Sequence, residues 1–481
     1  MASDPFVVIG ADAAGLSAAS KCRRVDPDRE VIVFEKGRWI SYAYCGMPYF
    51  IEGRIEQLSD LLSLSPAEAD ERGIDLRRGH EVTAVDPDAG VVTVAGGGEP
   101  IEQPYSDLLI ATGGRATTGP VDVRGLDGAF TLHNMDAAAA IDAYIAAPET
   151  YDEARIADTP ADRERVAHNA EQPAPAVAAI VGGGYVGVEM AEALRGRGLD
   201  VHLFQRSGHV LQPFGSAVAD RVEAELDAQG VHVHTDSPVE ELVGDDDIEA
   251  ISYDGGRQPV DLAVVGVGIK PNTALVAETD LEFGAGGAIA TDEYGRTTLP
   301  NVYAAGDCAT ARHTVTGEPT WMPLGLTANR GGRAIGSTVA GDPEPVGEIA
   351  GTAVVKAFHL ECGRVGLVDA DTAREAGFDP VSKTITAGSR SGYYPGGAET
   401  DVTLVADRET GRLLGGSIVG ADRAAVRINT LATALESGLT VAEVERLDLA
   451  YAPPFSPVWD PVLVAAKVLR GSLSETASSG E

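Results

Sequence analysis

The 481-residue chain has only four cysteines, at 22, 45, 308 and 362, and no two stand close enough to suggest a disulfide framework or a zinc site. No metal is expected at its working site. Lysine is confined to positions 21, 36, 270, 356, 383 and 467, so arginine supplies nearly all the positive charge. No apolar run reaches the roughly 18 residues that a spanning helix requires. The opening Phe6-Val7-Val8-Ile9-Gly10 is too short for the apolar stretch of a secretory signal and runs straight into a glycine turn. A reduced, cytoplasmic location is expected. Basic charge is scarce throughout: 73 acidic against 37 basic residues leave a formal net charge of −36. Nucleic acid and anionic membranes are poor partners for such a surface. At about 1 M salt the screening length falls to roughly 3 Å, which removes most of the self-repulsion. The composition therefore suggests adaptation to a salt-rich cytoplasm.

What is present is an apolar content of 44%, enough for two or three domains with ample cores. A strand at 6–10, a glycine turn, a helix at 14–24 and a strand at 31–35 make a βαβ start, and the same grammar returns at 177–205. Between them Tyr105–Ile110 reads as a strand closing on Ala111-Thr112-Gly113-Gly114. A polar stretch from Pro148 to Pro175 shows no steady apolar period and reads as a solvated insertion or linker. From Gly351 onward β-branched strands at 352–358, 381–387, 401–406 and 413–418 accompany a helix at 421–437. The expected fold class is α/β: two Rossmann-like dinucleotide-binding domains plus a C-terminal α+β domain. The first would comprise 1–118 and 285–346, the second 119–284 with an insertion at about 148–175, and the third 350–470. A small polar tail, 471–481, is expected to be flexible.

Gly182-Gly183-Gly184-Tyr185-Val186-Gly187 follows a strand and precedes a helix. Gly182, Gly184 and Gly187 permit the tight turn and let backbone N–H groups and the helix N-terminus meet a pyrophosphate. The first loop, Gly10-Ala11-Asp12-Ala13-Ala14-Gly15, lacks the middle glycine, because Asp12 stands where phosphate would approach. Support for a dinucleotide there comes from Glu35, placed to bond ribose hydroxyls, and from Gly306-Asp307, whose carboxylate suits a sugar-alcohol chain. With Thr112 and Gly113, and with Ala14 at the helix start, this makes a discontinuous site for FAD. At the acid position of the second unit stands Gln205, followed by Arg206, a pairing that tolerates a 2′-phosphate and favours NADPH over NADH.

These motifs together resemble the two-dinucleotide-domain flavoprotein family. Ser41-Tyr42-Ala43-Tyr44-Cys45-Gly46-Met47-Pro48-Tyr49, with Gly392-Tyr393-Tyr394-Pro395-Gly396 and Tyr451-Ala452-Pro453-Pro454, resembles one branch of it, the coenzyme A disulfide reductases and NADH oxidases, here of a halophilic archaeal type. Flavin disulfide reductases of the glutathione reductase type carry two thiols spaced C-x4-C, whereas Cys45 stands alone. Its chemistry must therefore pair it with a sulfur from elsewhere or pass through a sulfenic acid. The resemblance implies a homodimer in which Cys45 carries coenzyme A as a mixed disulfide and Tyr451 and Tyr393 or Tyr394 reach it from the partner chain. It also implies that Lys21, Arg23 and Arg24 on the first helix meet coenzyme A phosphates, next to Ser41 and Tyr44. Read from the residues, Pro48 in a first helical turn would let the helix dipole favour a Cys45 thiolate. Cys22, Cys308 and Cys362 read as buried and inert. The expected activity is NAD(P)H-driven, FAD-dependent reduction of coenzyme A disulfide or a related small disulfide or persulfide. The alternative is reduction of O2 or peroxide through a sulfenic acid, for which the family's histidine in the first glycine loop is replaced by Ala13.

Overall fold

A computed structural model describes residues 4–148 and 150–478. The first sheet is all parallel, its strands lying in the order Val302–Ala304, Asp107–Ile110, Phe6–Ile9, Val31–Glu35, Asp75–Arg78. Phe6–Ile9 is fully apolar because helices and a β-meander cover both its faces. The helix Ala13–Val25 packs along Gly325–Val339, which explains why the chain returns to the first domain after an excursion of some two hundred residues. That crossing is close enough that a Cβ on Gly332 would lie 2.0 Å from the carbonyl oxygen of Ala14, and one on Gly336 2.2 Å from that of Ala18.

The second sheet repeats the plan in the order Val231–His234, Asp200–Phe204, Val177–Val181, Leu262–Val265, Ala129–Thr131, again parallel. A five-stranded antiparallel sheet forms the C-terminal domain, in the order Ala353–Ala357, Leu360–Gly366, Leu413–Gly420, Glu399–Asp407, Pro380–Gly388. Its core is Val402, Leu404, Ile418, Ile428, Leu431 and Val462, with helices Ala424–Glu436 and Pro461–Ser478.

Two segments depart from the sequence reading. The stretch 148–175 is not a solvated linker. It forms a 3-10 turn, Glu153–Ile156, and a helix, Arg163–Ala170, whose first turns are capped by Asp152 and Asp162. Ile156, Ala161 and Val166 are buried in the second domain's core. Their spacing of five residues fits neither a helix nor a strand period, which hid them in the sequence. The expected flexible tail is helical through Ser478, continuing Pro461–Ser478, while residues 479–481 lie outside the described residues.

Candidate active site

The two glycine loops are built alike. Gly10 and Gly182 take φ of +106° and +109°, and a Cβ on either would strike a carbonyl oxygen of the facing strand end, at 2.3 and 2.5 Å. In the first unit the Glu35 carboxylate accepts the backbone N–H of Ala11 at 3.0 Å and that of Gly37 at 2.6 Å. In the second, Gln205 Oε1 accepts the N–H of Gly183 at 3.0 Å while its amide donates to Ser207. An amide oxygen thus reproduces the loop contact of the acid without its charge. Arg206, beside it, is exposed and hydrogen-bonds to none of the described residues. Gly184 and Gly113 face open space, with no atom within 4 Å of where a Cβ would stand. Gly306, with φ of +83°, leads to Asp307, whose carboxylate has no hydrogen bond among the described residues and is pushed up by burial. An orphaned carboxylate beside an open glycine turn suits a hydroxyl-rich ligand, so the residues fit a flavin dinucleotide. Thr112 is taken up structurally, its hydroxyl donating to the Asn272 carbonyl at 2.6 Å.

Asp12, where a glycine was missing, holds the redox segment. Its carboxylate accepts the N–H of Tyr42 at 3.2 Å and a hydrogen bond from the Tyr44 hydroxyl, and Ser41 donates to the Ala11 carbonyl at 3.0 Å. Burial raises the Asp12 carboxyl to about 7, with the neighbouring Glu35 charge adding to it. Ser41 sits at φ +44°, a left-handed conformation that costs a non-glycine residue about 1–3 kcal/mol and is held by these contacts. Cys45 follows on a 3-10 turn, Tyr44–Gly46, and is exposed, whereas Cys22, Cys308 and Cys362 are buried.

Pro48 does occupy the first turn of a helix, Met47–Glu52. The expected thiolate-favouring field is overridden all the same. The protein packed around the Cys45 sulfur raises its pKa, and the Glu189 and Asp307 carboxylates raise it further. Six residues of helix dipole do not outweigh desolvation and two acids. Glu189 was passed over in the sequence reading. Burial lifts its own carboxyl to about 7, and it accepts a hydrogen bond from the Tyr49 hydroxyl at 3.4 Å. Its place directly after Gly187-Val188, opening a helix in a nucleotide loop, was the available signal.

A groove of about 410 Å³ runs from Ser41 past Asp12 along the first helix and is lined by Lys21, Arg24, Arg72, Arg330 and Arg333. Five cations gather there in a chain with 37 basic residues against 73 acidic ones. Arg23 is not among them, since it donates to the carbonyls of Arg72 and Arg29. Arg330 and Arg333 were legible only as an i,i+3 pair on one helix face. Tyr393 and Tyr451 meet each other, hydroxyl to hydroxyl at 3.5 Å, and Tyr394 is partly exposed. None of the three is hydrogen-bonded to the Cys45 segment within one chain. Phe455, Val458 and Trp459 of the C-terminal domain are exposed as well.

Residues 4–329 match the pyridine nucleotide-disulphide oxidoreductase family and residues 352–461 its dimerisation domain. The chain belongs to that family. It is accordingly an FAD- and NAD(P)H-dependent oxidoreductase with a homodimerisation domain. It is 37% identical over 467 residues to an NAD(P)H coenzyme A polysulfide/persulfide reductase of Pyrococcus horikoshii, covering 96% of this chain and 98% of that one. An NADH oxidase of Methanocaldococcus jannaschii is 32% identical, with 97% and 99% covered. Among solved structures, an NAD-dependent persulfide reductase from A. fulgidus superposes with a TM-score of 0.89 at 32% identity, over 98% of this chain and 84% of that one. Among the described residues, no helix is long and apolar enough to cross a membrane.

Proposed function

We propose that this protein reduces the disulfide or persulfide of coenzyme A, or of a closely related anionic thiol, with Cys45 as its redox sulfur. The observation that carries this reading is a single exposed cysteine at the end of a segment whose first residue, Ser41, lines a five-cation groove. Lys21, Arg24, Arg72, Arg330 and Arg333 would hold the substrate's phosphates, with Ser41 and Tyr44 guiding its thiol arm to the sulfur. Gly10, Ala14, Gly15, Glu35, Gly113, Gly306 and Asp307 would hold FAD, with Thr112 tying their loop to Asn272. Gly182, Gly184, Gly187, Gln205 and Arg206 would hold NADPH in preference to NADH.

The Cys45 thiolate attacks one sulfur of the substrate disulfide, forming a mixed disulfide and expelling a thiolate. When bound, FAD would supply, from NAD(P)H, the two electrons that split this mixed disulfide into the Cys45 thiolate and a second departing thiolate. Because the Cys45 thiol is held up by its surroundings, it must lose its proton to a base, and Glu189, whose charge acts on that thiol and whose own carboxyl is lifted to about 7, would take that role. Tyr451 and Tyr394 of the partner subunit, with Tyr393 bonded to Tyr451, would protonate the departing thiolate.

Two measurements test this. Protein isolated without reductant should carry an adduct of coenzyme A mass, or of another cell thiol, on the Cys45 peptide. Cys45→Ser should abolish disulfide reduction while FAD stays bound. A sulfenic or sulfinic acid without a thiol adduct, with peroxide turned over faster than any disulfide, would replace this reading with that of a peroxidase or oxidase.

A further inference from the structure

The second domain places an unassigned group of donors on the strands Asp200–Phe204 and Val231–His234. Three of the chain's nine histidines, His202, His232 and His234, lie on two adjacent parallel strands, with His202 beside His232 and Phe204 beside His234. Alternate residues of a strand share a face, so Asp200 joins the three imidazoles on one side of the sheet. The rings stack: His202 lies 4.6 Å from His232 and 5.4 Å from His234, centroid to centroid, and His234 lies flat on Phe204 at 4.4 Å. A neutral imidazole offers one lone pair and one N–H.

The contacts distribute those lone pairs in a particular way. His202 Nδ1 is 3.1 Å from His234 Nε2, which leaves His202 Nε2 free to face Asp200. Asp200 Oδ1 is 3.2 Å from His232 Nε2, and its Oδ2 is 3.9 Å from His202 Nε2. One carboxylate oxygen and two imidazole nitrogens therefore converge within 4.8 Å of one another. A tetrahedral ion with bonds of about 2.0–2.1 Å spaces its ligand atoms roughly 3.3 Å apart, so atoms within 4.8 Å of one another close the shell by approaching at most about 1.5 Å. Asp200 and His232 are half-exposed, which leaves entry for the ion and a position for water.

We propose that Asp200, His202 and His232 form a site for a divalent transition metal of the zinc type, with His234 orienting His202 from behind. Two imidazoles and one carboxylate select Zn2+ and its neighbours over Mg2+ or Ca2+. The hydrogen bond from a ligand's second nitrogen is the usual device for fixing its ring. The ion would clip the edge strand Val231–His234 to Asp200–Phe204, making the site a structural one, separate from Cys45. A second group, His209, Asp220 and Glu223, has a single imidazole, and Glu223 already accepts the N–H of Val210 at 2.9 Å. Cysteine spacing, on which the expectation of no metal rested, could not register a cluster assembled by strand pairing.

The test is a titration of the chelator-treated holoprotein with Co2+, read by its visible spectrum, followed by displacement with Zn2+, all in molar KCl to suppress loose binding to surface carboxylates. One ion per chain should bind without sulfur-to-metal bands, and Zn2+ should raise the melting temperature. His232→Ala and Asp200→Asn, both at half-exposed positions, should each weaken binding more than about a hundredfold, and His234→Ala roughly ten- to hundredfold. Cys45→Ser should leave the titration unchanged. Absence of saturable binding, binding indifferent to His232→Ala and Asp200→Asn, or loss of binding in Cys45→Ser would each overturn the proposal.

Discussion

Replacing Asp142 by alanine should destabilise the protein and misplace Cys45 together, because one buried carboxylate ties the second domain to the helix behind the sulfur. Asp142 is 2% exposed and binds Arg155 Nε at 2.7 Å and Arg197 Nη1 at 2.9 Å. Arg155 in turn donates to the carbonyl of Phe50 at 2.7 Å, and Arg197 to that of Ile51 at 2.8 Å. These are carbonyls in the last turn of Met47–Glu52, where that of Phe50 also accepts the C-cap N–H of Gly53 at 3.0 Å. Breaking a buried ion pair costs about 3–5 kcal/mol, and the two arginines retain some water contact, so about 3 kcal/mol is expected. At about 2–4 °C per kcal/mol, that lowers the melting temperature by roughly 6–12 °C. Asp142→Asn keeps an acceptor and should lose about half as much. In the same variants kcat/KM for disulfide reduction should fall about tenfold or more, as small misplacements of a reacting group do. Calorimetry of the holoprotein and initial rates suffice. A melting point within about 2 °C of wild type in Asp142→Ala would show that the pairing contributes nothing net and refute the reasoning.

Glu189→Gln removes a negative charge that raises the Cys45 thiol, so the sulfur should ionise at lower pH, seen as a downward shift of the alkylation rate profile with iodoacetamide. Turnover should nevertheless fall, since the nearby base is lost; an unmoved alkylation profile would remove Glu189 from the site. In the nicotinamide loop, wild type should show a higher kcat/KM with NADPH than with NADH, and Arg206→Ala should narrow that ratio. A ratio unchanged in the mutant would make Arg206 plain surface. Raising KCl from a tenth molar to molar should raise the melting temperature substantially, because a net charge of −36 repels itself at low salt; equal melting temperatures at the two concentrations would contradict it.

The fold was readable where a residue's role depends on its neighbours in sequence. Gly10, Gly182 and the apolar strands after which they turn declare two nucleotide units because a strand, a tight turn and a helix are consecutive. Cys45 was readable for a similar reason, standing between Tyr44 and a Gly46-Met47-Pro48 helix start. Roles settled by distant packing were not readable. Asp12 looked like a defect in a phosphate loop, yet its carboxylate bonds Tyr42 and Tyr44 some thirty residues on, so it anchors the very segment that carries the sulfur. The direction of the Cys45 shift was misjudged for the same cause: a helix dipole can be inferred from Pro48, but the Glu189 carboxylate arrives from another domain. The cationic groove joins Lys21 and Arg24 to Arg330 and Arg333 only because Gly332 and Gly336 let two helices, three hundred residues apart in sequence, cross at backbone contact. Those glycines therefore matter to substrate binding without touching substrate: a side chain on either would push the helices apart and separate the arginines from Lys21.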